Sequence, residues 1–178
     1  MTRSSTLVVY KTKYGSTWQY AEWIAEALGA DLLSADVAGV DHLRRYDAVV
    51  VGGSVRMGKI TCASFLRRHW GVLQGKRVVL FSVSATHPED PEIAKYYERS
   101  VPEEIRRSIR YFPLWGKFGA LDWVDEVLMF FPRSQLRRQL KRDPGNEKLR
   151  KIYEGMTVPF DHVERRSADP IIQYCRAA

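Results

Sequence analysis

Short apolar runs alternate with helical stripes through the first half of the chain. Apolar residues recur at helical spacing over residues 17–28, where Gly29 can end the helix, and again over residues 62–69. The runs between these stripes are short and apolar throughout, at residues 7–10, 32–33, 48–51 and 78–81. Such strands, joined by helices, are typical of a parallel sheet covered on both faces. The pattern therefore predicts a doubly wound α/β domain.

The predicted sheet continues into the second half of the chain. A helix is expected to begin at Asp90-Pro91, because aspartate can cap a helix and proline suits its first turn. A fifth strand is expected within residues 111–118, although Pro113 and Gly116 make this segment irregular. Ligands of doubly wound sheets bind beyond the carboxyl ends of the strands. The loops after the first, third and fourth strands are therefore the predicted binding region.

Residues 121–155 combine an apolar aromatic block with a basic stretch. The block is expected to stop at Pro132, and residues 133–151 then contain eight basic and two acidic side chains. The helically spaced apolar positions are Trp123, Val124, Val127, Leu128 and Phe131. They fit a core helix followed by a solvated one, a membrane-surface patch, or a site for an apolar substrate that bears carboxylates. We predict one domain over residues 1–178 that carries this segment as a helical insertion.

Composition narrows the classes of partner. The net charge of +7, from 28 Lys and Arg against 21 Asp and Glu, favours anionic partners. Cys62 and Cys175 form no CxxC pair, so a reduced cytoplasmic setting is expected, with Cys62 as a buried, unreactive thiol. The four histidines lie at no metal-ligand spacing, so no metal site is predicted. No recognised nucleic-acid motif is present, which makes nucleic acid an unfavoured partner.

A loop of small hydroxyl residues follows the first strand and leads directly into a helix. Its sequence is Thr12-Lys13-Tyr14-Gly15-Ser16-Thr17. Backbone N–H groups and hydroxyls of such a loop can surround an anion at the positive end of the helix dipole. The loop lacks the second glycine and the Lys-Ser/Thr ending of a Walker loop, and it is not GxGxxG. The alternative is an ordinary strand-to-helix turn with a hydroxyl cap.

Three segments together resemble the flavin loops of the flavodoxin family. Thr12-x-x-Gly15-x-Thr17 is similar to the phosphate loop, and Gly52 to Gly58 and Ser82 to Ala85 follow the third and fourth strands as the second and third loops do. The resemblance implies a five-stranded parallel sheet of order 2-1-3-4-5 with helices on both faces, and FMN as cofactor. The cofactor-binding residues it implies are Thr12, Lys13, Tyr14, Gly15, Ser16, Thr17, Ser54, Val55, Arg56, Met57, Gly58, Ser82, Val83, Ser84 and Ala85.

One branch of that family is a closer match. Gly52-x-Ser54-Val55-Arg56-x-Gly58, with the Ser82-Val83 pair, resembles the menaquinone-dependent protoporphyrinogen dehydrogenases, and residues 123–142 loosely resemble their late insertion. The resemblance implies a quinone as electron acceptor and a porphyrinogen as substrate. It fits a cytoplasmic protein held peripherally at the inner face of the membrane.

Two residues are candidates for a part in the chemistry. Arg56 could stabilise a reduced, anionic flavin, and His87 could transfer protons because the ordinary pKa of histidine lies near neutrality. For both, the alternative is a loop residue that faces water. The second and third loops contain no aromatic residue, so one face of a flavin is expected to be open to a substrate.

Three functions are compatible with the sequence. The first is an FMN oxidoreductase near a membrane, which passes electrons from an anionic organic substrate to a quinone. The second is a soluble flavodoxin-type electron carrier that docks on acidic redox partners. The third is a non-redox binding module that has lost the flavin. A homo-oligomer is compatible with each of them.

Overall fold

The computed structural model describes residues 5–119 and 123–177. The chain divides into two compact units, of which the first combines Met1–Gly116 with Val163–Ala178 and the second is Lys117–His162. The expected insertion at residues 121–155 therefore falls within the second unit. In the described part of the chain, no helix combines the length and the apolar character that a membrane span requires.

A parallel sheet forms the centre of the first unit. Its strands, in spatial order, are β2 (Asp31–Ser34), β1 (Thr6–Lys11), β3 (Ala48–Arg56), β5 (Arg77–Ser84) and β6 (Arg110–Trp115). A two-residue strand, β4 (Lys59–Ile60), pairs antiparallel with the end of β3. Without β4, the five parallel strands have the predicted order 2-1-3-4-5, so the doubly wound α/β class is confirmed.

Helices connect these strands and cover both faces of the sheet. In the first unit they are α1 (Ser16–Leu28), α2 (Val40–Leu43), α3 (Ala63–Leu73), α4 (Pro91–Ser100), α5 (Glu103–Arg106), a 3-10 turn (Arg165–Ala168) and α8 (Asp169–Arg176). The second unit contains α6 (Trp123–Arg142), α7 (Glu147–Gly155) and the antiparallel pair β7 (Lys117–Phe118) and β8 (Phe160–Asp161). Asp90 caps α4 as predicted, since its side chain accepts a hydrogen bond from the backbone N–H of Glu92 at 2.8 Å.

Alternate residues of the central strands enter two separate cores. Leu7 and Val9 of β1 pack on one face with Leu66 of α3, while Val8 packs on the other face with Ile24 of α1. All five side chains are fully buried. This two-sided burial is the reason that the strands are apolar throughout.

β6 lies at one edge of the sheet, since it ends the strand order of the described residues and pairs there with β5. Pro113 sits in the middle of this strand, opposite Ser82. An edge strand tolerates proline because the missing N–H would otherwise face away from the ladder. The proline that made the segment irregular in sequence is therefore compatible with a complete strand.

The segment after the second unit returns to the first and covers α1. The hydroxyl of Tyr20 donates to the carbonyl of Trp115 at 2.8 Å and accepts from the N–H of Glu164 at 3.2 Å. Ile171 and Ile172 of α8 are buried against the same face of the sheet. One buried hydroxyl thus binds both points at which the chain leaves and re-enters the first unit.

The second unit is built around the long helix α6. Arg133 donates from Nε to the carbonyl of Met156 at 2.9 Å and forms an ion pair with Glu126 at 2.8 Å. Its guanidinium also lies 6.0 Å from the centre of the Phe118 ring. The helix continues through Pro132, so the prediction that it stops there is wrong. One lost backbone hydrogen bond did not end it, because both flanking turns have partly buried side chains on their inner face.

Candidate functional site

The register of the sheet brings the three predicted loops to one edge. Lys11 at the end of β1 pairs with Gly53 of β3, and Gly53 pairs with Ser82 of β5. Ser82 in turn lies opposite Pro113 of β6. The segments that follow these strands therefore meet at the carboxyl edge, where ligands of doubly wound sheets bind.

The loop of residues 12–17 curls tightly before α1. Gly15 has a φ of 87°, a left-handed conformation that favours glycine, and its N–H donates to Oγ1 of Thr12 at 3.0 Å. The carbonyl of Gly15 then accepts the N–H of Gln19 at 3.0 Å, which starts the helix. The first turn of α1 contains no acidic side chain, so its positive dipole end is not neutralised there.

Thr17 carries a buried hydroxyl with no partner. Its side chain is 1% exposed, and Oγ1 has no hydrogen-bond partner within the described part of the chain. A buried, unpaired hydroxyl costs about 1–3 kcal/mol in a protein interior. Its place in the first turn of α1, after a loop of hydroxyl residues, is one that an anion would complete.

One aromatic side chain lies within the same loop and another directly follows it. Tyr14 and Trp18 are 40% and 41% exposed, and the Lys13 ammonium lies 5.3 Å from the centre of the Tyr14 ring. Ser16 is buried beside Thr17. Positive charge, hydroxyls and aromatic surface are therefore combined within a few residues.

The predicted second loop is a strand and a hairpin, which corrects the sequence interpretation. Residues 52–56 extend β3, and Met57-Gly58 form a two-residue turn with φ values of 48° and 71°. Positive φ at both central residues is typical of the type I′ turn that joins antiparallel strands. Ser54 closes the end of the hairpin opposite the turn, because its N–H donates to Oγ1 of Thr61 at 3.1 Å.

The two glycines before this hairpin are needed for packing. A Cβ on Gly52 would lie 2.1 Å from Cζ of Phe81, and one on Gly53 would lie 2.5 Å from Sγ of Cys62. The sequence pattern predicts that the strand ends at this glycine pair. The structure shows that the strand continues because glycine allows these close neighbours.

The hairpin presents its tip at the carboxyl edge of β3. Met57 is 71% exposed, Val55 and Arg56 are half-buried, and the buried hydroxyl of Ser100 accepts the N–H of Ile60 at 2.9 Å. The last contact holds the hairpin to the end of α4. Arg56 therefore ends a strand instead of lying in a loop, and its part beside a cofactor stays a prediction.

The predicted third loop also begins later than expected. Ser82, Val83 and Ser84 are buried residues of β5, and only Ala85 of the predicted set lies in the loop. The Ser82 hydroxyl is 2.7 Å from the Tyr111 hydroxyl, and the Ser84 hydroxyl donates to the carbonyl of Thr86 at 2.8 Å. The hydroxyls of both serines are thus used within the protein.

Tyr111 is held in its neutral form beside Ser82. Burial raises the pKa of Tyr111 to about 12. Its ring stacks on Tyr97 with centres 4.0 Å apart and planes 6° from parallel. The pair fixes the position of the β5 end from the side of the neighbouring strand.

The carboxyl edge of the sheet also carries an aromatic residue that is absent from the site predicted from the sequence. Trp115 ends β6, its indole N–H donates to the carbonyl of Ala85 at 3.3 Å, and its ring lies 4.5 Å from that of His87. His87 accepts the N–H of Glu89 at Nδ1, which assigns the proton of the neutral imidazole to Nε2. Its position at the end of the fifth strand is the signal that could have identified Trp115.

Cys62 takes no part in this edge chemistry. It is fully buried, and burial raises the pKa of its thiol to about 12. The prediction that this thiol is buried is confirmed, and its lack of reactivity stays a prediction that the raised pKa supports. Contact of the other predicted residues with a cofactor stays a prediction.

Together, the fold and the loop of residues 12–17 define a class: a doubly wound α/β protein with a tight, hydroxyl-rich turn between its first strand and first helix. The sequence matches the family model of the flavodoxin domain over residues 7–146, so the chain belongs to the flavodoxin domain family. The flavodoxin-like family expected from the three segments is therefore confirmed.

Individual proteins are similar to this chain over much of its length. Protoporphyrinogen IX dehydrogenase (quinone) of Escherichia coli strain K12 is 32% identical over 137 residues, which are 70% of this chain and 76% of that protein. A flavodoxin from the domain Archaea aligns in structure with a TM-score of 0.49 and 14% identity, over 97% of this chain and 99% of that one. A WrbA-like flavodoxin from Agrobacterium tumefaciens has a TM-score of 0.47 and 25% identity, over 60% and 75%.

Proposed function

We propose that the chain is an FMN-binding oxidoreductase whose cofactor phosphate binds residues 12–17. The observation that carries this proposal is the buried, unpartnered hydroxyl of Thr17. A phosphate oxygen would accept from that hydroxyl and from the N–H groups at the start of α1. Thr12 supports the arrangement indirectly, because its Oγ1 already binds the N–H of Gly15 and keeps the turn closed.

The residues at the carboxyl edge have distinct parts in this proposal. Met57 and Trp115 supply apolar surface on the sides of β3 and β6, and Arg56 supplies a positive charge for the anionic, reduced cofactor. His87 carries its proton at Nε2, because Nδ1 accepts a backbone N–H, so Nε2–H is the group that would donate a hydrogen bond to the bound cofactor or substrate. FMN, when bound, supplies the redox chemistry by accepting two electrons from an organic substrate and passing them to an acceptor.

The substrate in our proposal is a porphyrinogen, and the acceptor is a quinone. The relative from Escherichia coli is named protoporphyrinogen IX dehydrogenase (quinone), which supports this class of reaction. The net charge of +7 supports a substrate that bears carboxylates. The carboxyl edge of the sheet is compatible with such a substrate, since Met57 presents a large, exposed apolar side chain at the hairpin tip.

The test of flavin binding uses Thr17→Val, which removes the hydroxyl and keeps the shape of the side chain. A hydrogen bond to a charged group contributes about 1.5–3 kcal/mol, so we expect FMN affinity to fall by about tenfold or more. Thr157→Val is the matched control, because that hydroxyl donates to the carbonyl of Tyr153 in the second unit. The measurement is a titration of the apoprotein with FMN, followed by flavin absorbance.

The outcomes separate the three functions. Equal FMN affinity in both variants would remove the assigned role of Thr17, and no uptake by the wild type would favour a non-redox binding module. Where FMN binds, quinone-linked oxidation of a porphyrinogen is then assayed. Tight FMN binding without that activity would favour a soluble electron carrier.

A further inference from the structure

The outer face of α6 carries a row of exposed apolar side chains. Phe130 and Phe131 are 68% and 73% exposed, Val127 is 65% exposed and Val124 is 39% exposed. The two phenylalanine rings meet edge to face with centres 6.5 Å apart. Isolated exposed apolar residues are common, but four within two turns of one helix form a patch that indicates an interaction site.

The opposite face of the same helix is already used within the second unit. Asp125 is 7% exposed, and the side chain of Arg133 is 21% exposed. Met129, Leu136 and Leu140, which lie on the same side at helical spacing, are partly buried. The two phenylalanines and two valines are therefore not the inward-facing side of a core helix.

A basic patch continues the apolar one along the same outer face. Seven residues make about two helical turns, so Arg137 follows Phe130 and Arg138 follows Phe131 on that face. Arg137, Arg138, Lys141 and Arg142 are all exposed, and among residues 5–119 and 123–177 no carboxylate pairs with them. The acidic residues of α6 are both in its first turn, away from this patch.

We propose that this face of α6 docks on an anionic lipid bilayer. Aromatic side chains favour the interfacial region of a membrane, and arginine and lysine bind its anionic headgroups. The apolar half of the face would insert at the boundary of the acyl chains, and the basic half would lie against the headgroups. Flavin binding is not required for this docking, so the two proposals can fail separately.

A second copy of the chain is a poorer occupant of this face. A 20-residue helix is about 30 Å long, so a stripe about 10 Å wide provides roughly 300 Å², whereas a stable interface buries about 800 Å² on each partner. A parallel pair of such helices would also place four cations against four cations. An anionic bilayer avoids both problems, because its binding does not require an interface of that size and its charge is opposite to that of the four cations.

The test is sedimentation of the purified full chain, with and without added FMN, with phosphatidylcholine vesicles that do or do not contain phosphatidylglycerol. We expect binding only to the anionic vesicles, and release at high salt. The double variant Phe130→Ser with Phe131→Ser is expected to lower the partition coefficient by at least about tenfold. The triple variant Arg137→Gln, Arg138→Gln and Lys141→Gln is expected to lower it by a similar factor.

Matched control variants remove the same kinds of side chain from the first unit, away from α6. Val37→Ser with Val40→Ser removes two exposed valines, and Arg44→Gln, Arg45→Gln and Arg68→Gln remove three exposed cations. We expect both controls to sediment as the wild type does. Circular dichroism of each variant establishes that it is folded.

Three results would overturn the proposal. In the first, the wild type stays in the supernatant with anionic vesicles. In the second, the control variants lose binding as much as the α6 variants do. In the third, light scattering shows an oligomer that disappears in the phenylalanine variant, which would assign the face to a second copy.

Discussion

At Gly52, strand β3 passes so close to Phe81 that any side chain must displace the ring. The nearest ring atom lies 2.1 Å from the position of a Cβ. We expect Gly52→Ala to lower the free energy of unfolding by about 1–3 kcal/mol, the usual cost of overpacking a core. Urea denaturation with an unchanged m-value is the measurement.

Gly71→Ala is the control for this substitution. Gly71 lies within α3, and a Cβ there would have no atom within 4 Å. Alanine forms helices more readily than glycine, so the control is expected to gain up to about 1 kcal/mol. Equal effects of the two substitutions would show that the ring of Phe81 moves without cost.

The buried thiol of Cys62 makes stability depend on alkaline pH. Burial raises its pKa from 9.0 to about 12, so the unfolded chain releases the proton at lower pH than the folded protein does. The contribution of the thiol to stability is complete below pH 9.0 and is lost as the pH rises towards about 12. We expect the free energy of unfolding to decline across that interval.

Cys62→Ala removes this titration. In the variant we expect a shallower decline from pH 9.0 to 10.0, since only the less buried Cys175 thiol, whose pKa burial also raises from 9.0, still contributes there. The buried Tyr111 contributes at higher pH, since burial raises its pKa from 10.0 to about 12. Urea denaturation is measured at a series of pH values, and the slopes against pH are compared because the cavity lowers stability at every pH. Parallel slopes from pH 9.0 to 10.0 would contradict the role of the thiol.

At the scale of elements, local patterns predicted the strands and helices of the first unit but not the ends of two strands. β3 and β5 extend beyond the apolar runs, because Gly52 and Gly53 fit against Phe81 and Cys62, which are distant in sequence. A glycine pair has the same local pattern whether it ends a strand or packs against a ring.

The candidate site likewise has one part that could be predicted from local sequence and one part that could not. The loop of residues 12–17 could be predicted because its hydroxyls, its glycine and the following helix are adjacent in sequence. The contacts of Trp115 with Ala85 and His87 could not, because they depend on how β5 and β6 pair, although its place at the end of the fifth strand could be read from the sequence. The continuation of α6 through Pro132 likewise depends on packing that a local rule does not include.

Pro132 gives α6 a local weakness that a substitution can remove. Proline lacks the N–H that would bind the carbonyl four residues earlier, and this costs a helix interior about 3 kcal/mol. We expect Pro132→Ala to slow amide hydrogen exchange in the middle of α6 and to increase helical ellipticity. Gln135→Ala, an exposed change on the same helix, is expected to alter exchange only slightly. Unchanged exchange in the proline variant would mean that the packed inner face alone determines the stability of α6.

For the whole molecule, the hydroxyl of Tyr20 is a junction between distant parts of the first unit. It donates to the carbonyl of Trp115, shortly before the chain enters the second unit, and accepts from the N–H of Glu164, shortly after the chain leaves it. Tyr20→Phe leaves a buried carbonyl and an N–H without this partner, so we expect a loss of about 1–3 kcal/mol in the free energy of unfolding. Thermal unfolding followed by circular dichroism checks it.

Tyr174→Phe removes a hydroxyl from a side chain that is 38% exposed, and serves as the matched control. Surface changes of this kind usually stay within about 0.5 kcal/mol. A loss in the control equal to that in Tyr20→Phe would mean that the junction contributes nothing beyond the size of the ring.

Because residues 163–177 return to the first unit, one apolar face of its sheet is covered only late in synthesis. A ribosome that has made the chain as far as β6 has produced all five parallel strands, but Ala168, Ile171 and Ile172 are still to come. The apolar face beside α1 therefore stays uncovered while the 46 residues of the second unit are translated. During that interval the part of this face that α8 later buries is exposed, and exposed apolar surface makes a nascent chain prone to aggregation until α8 emerges.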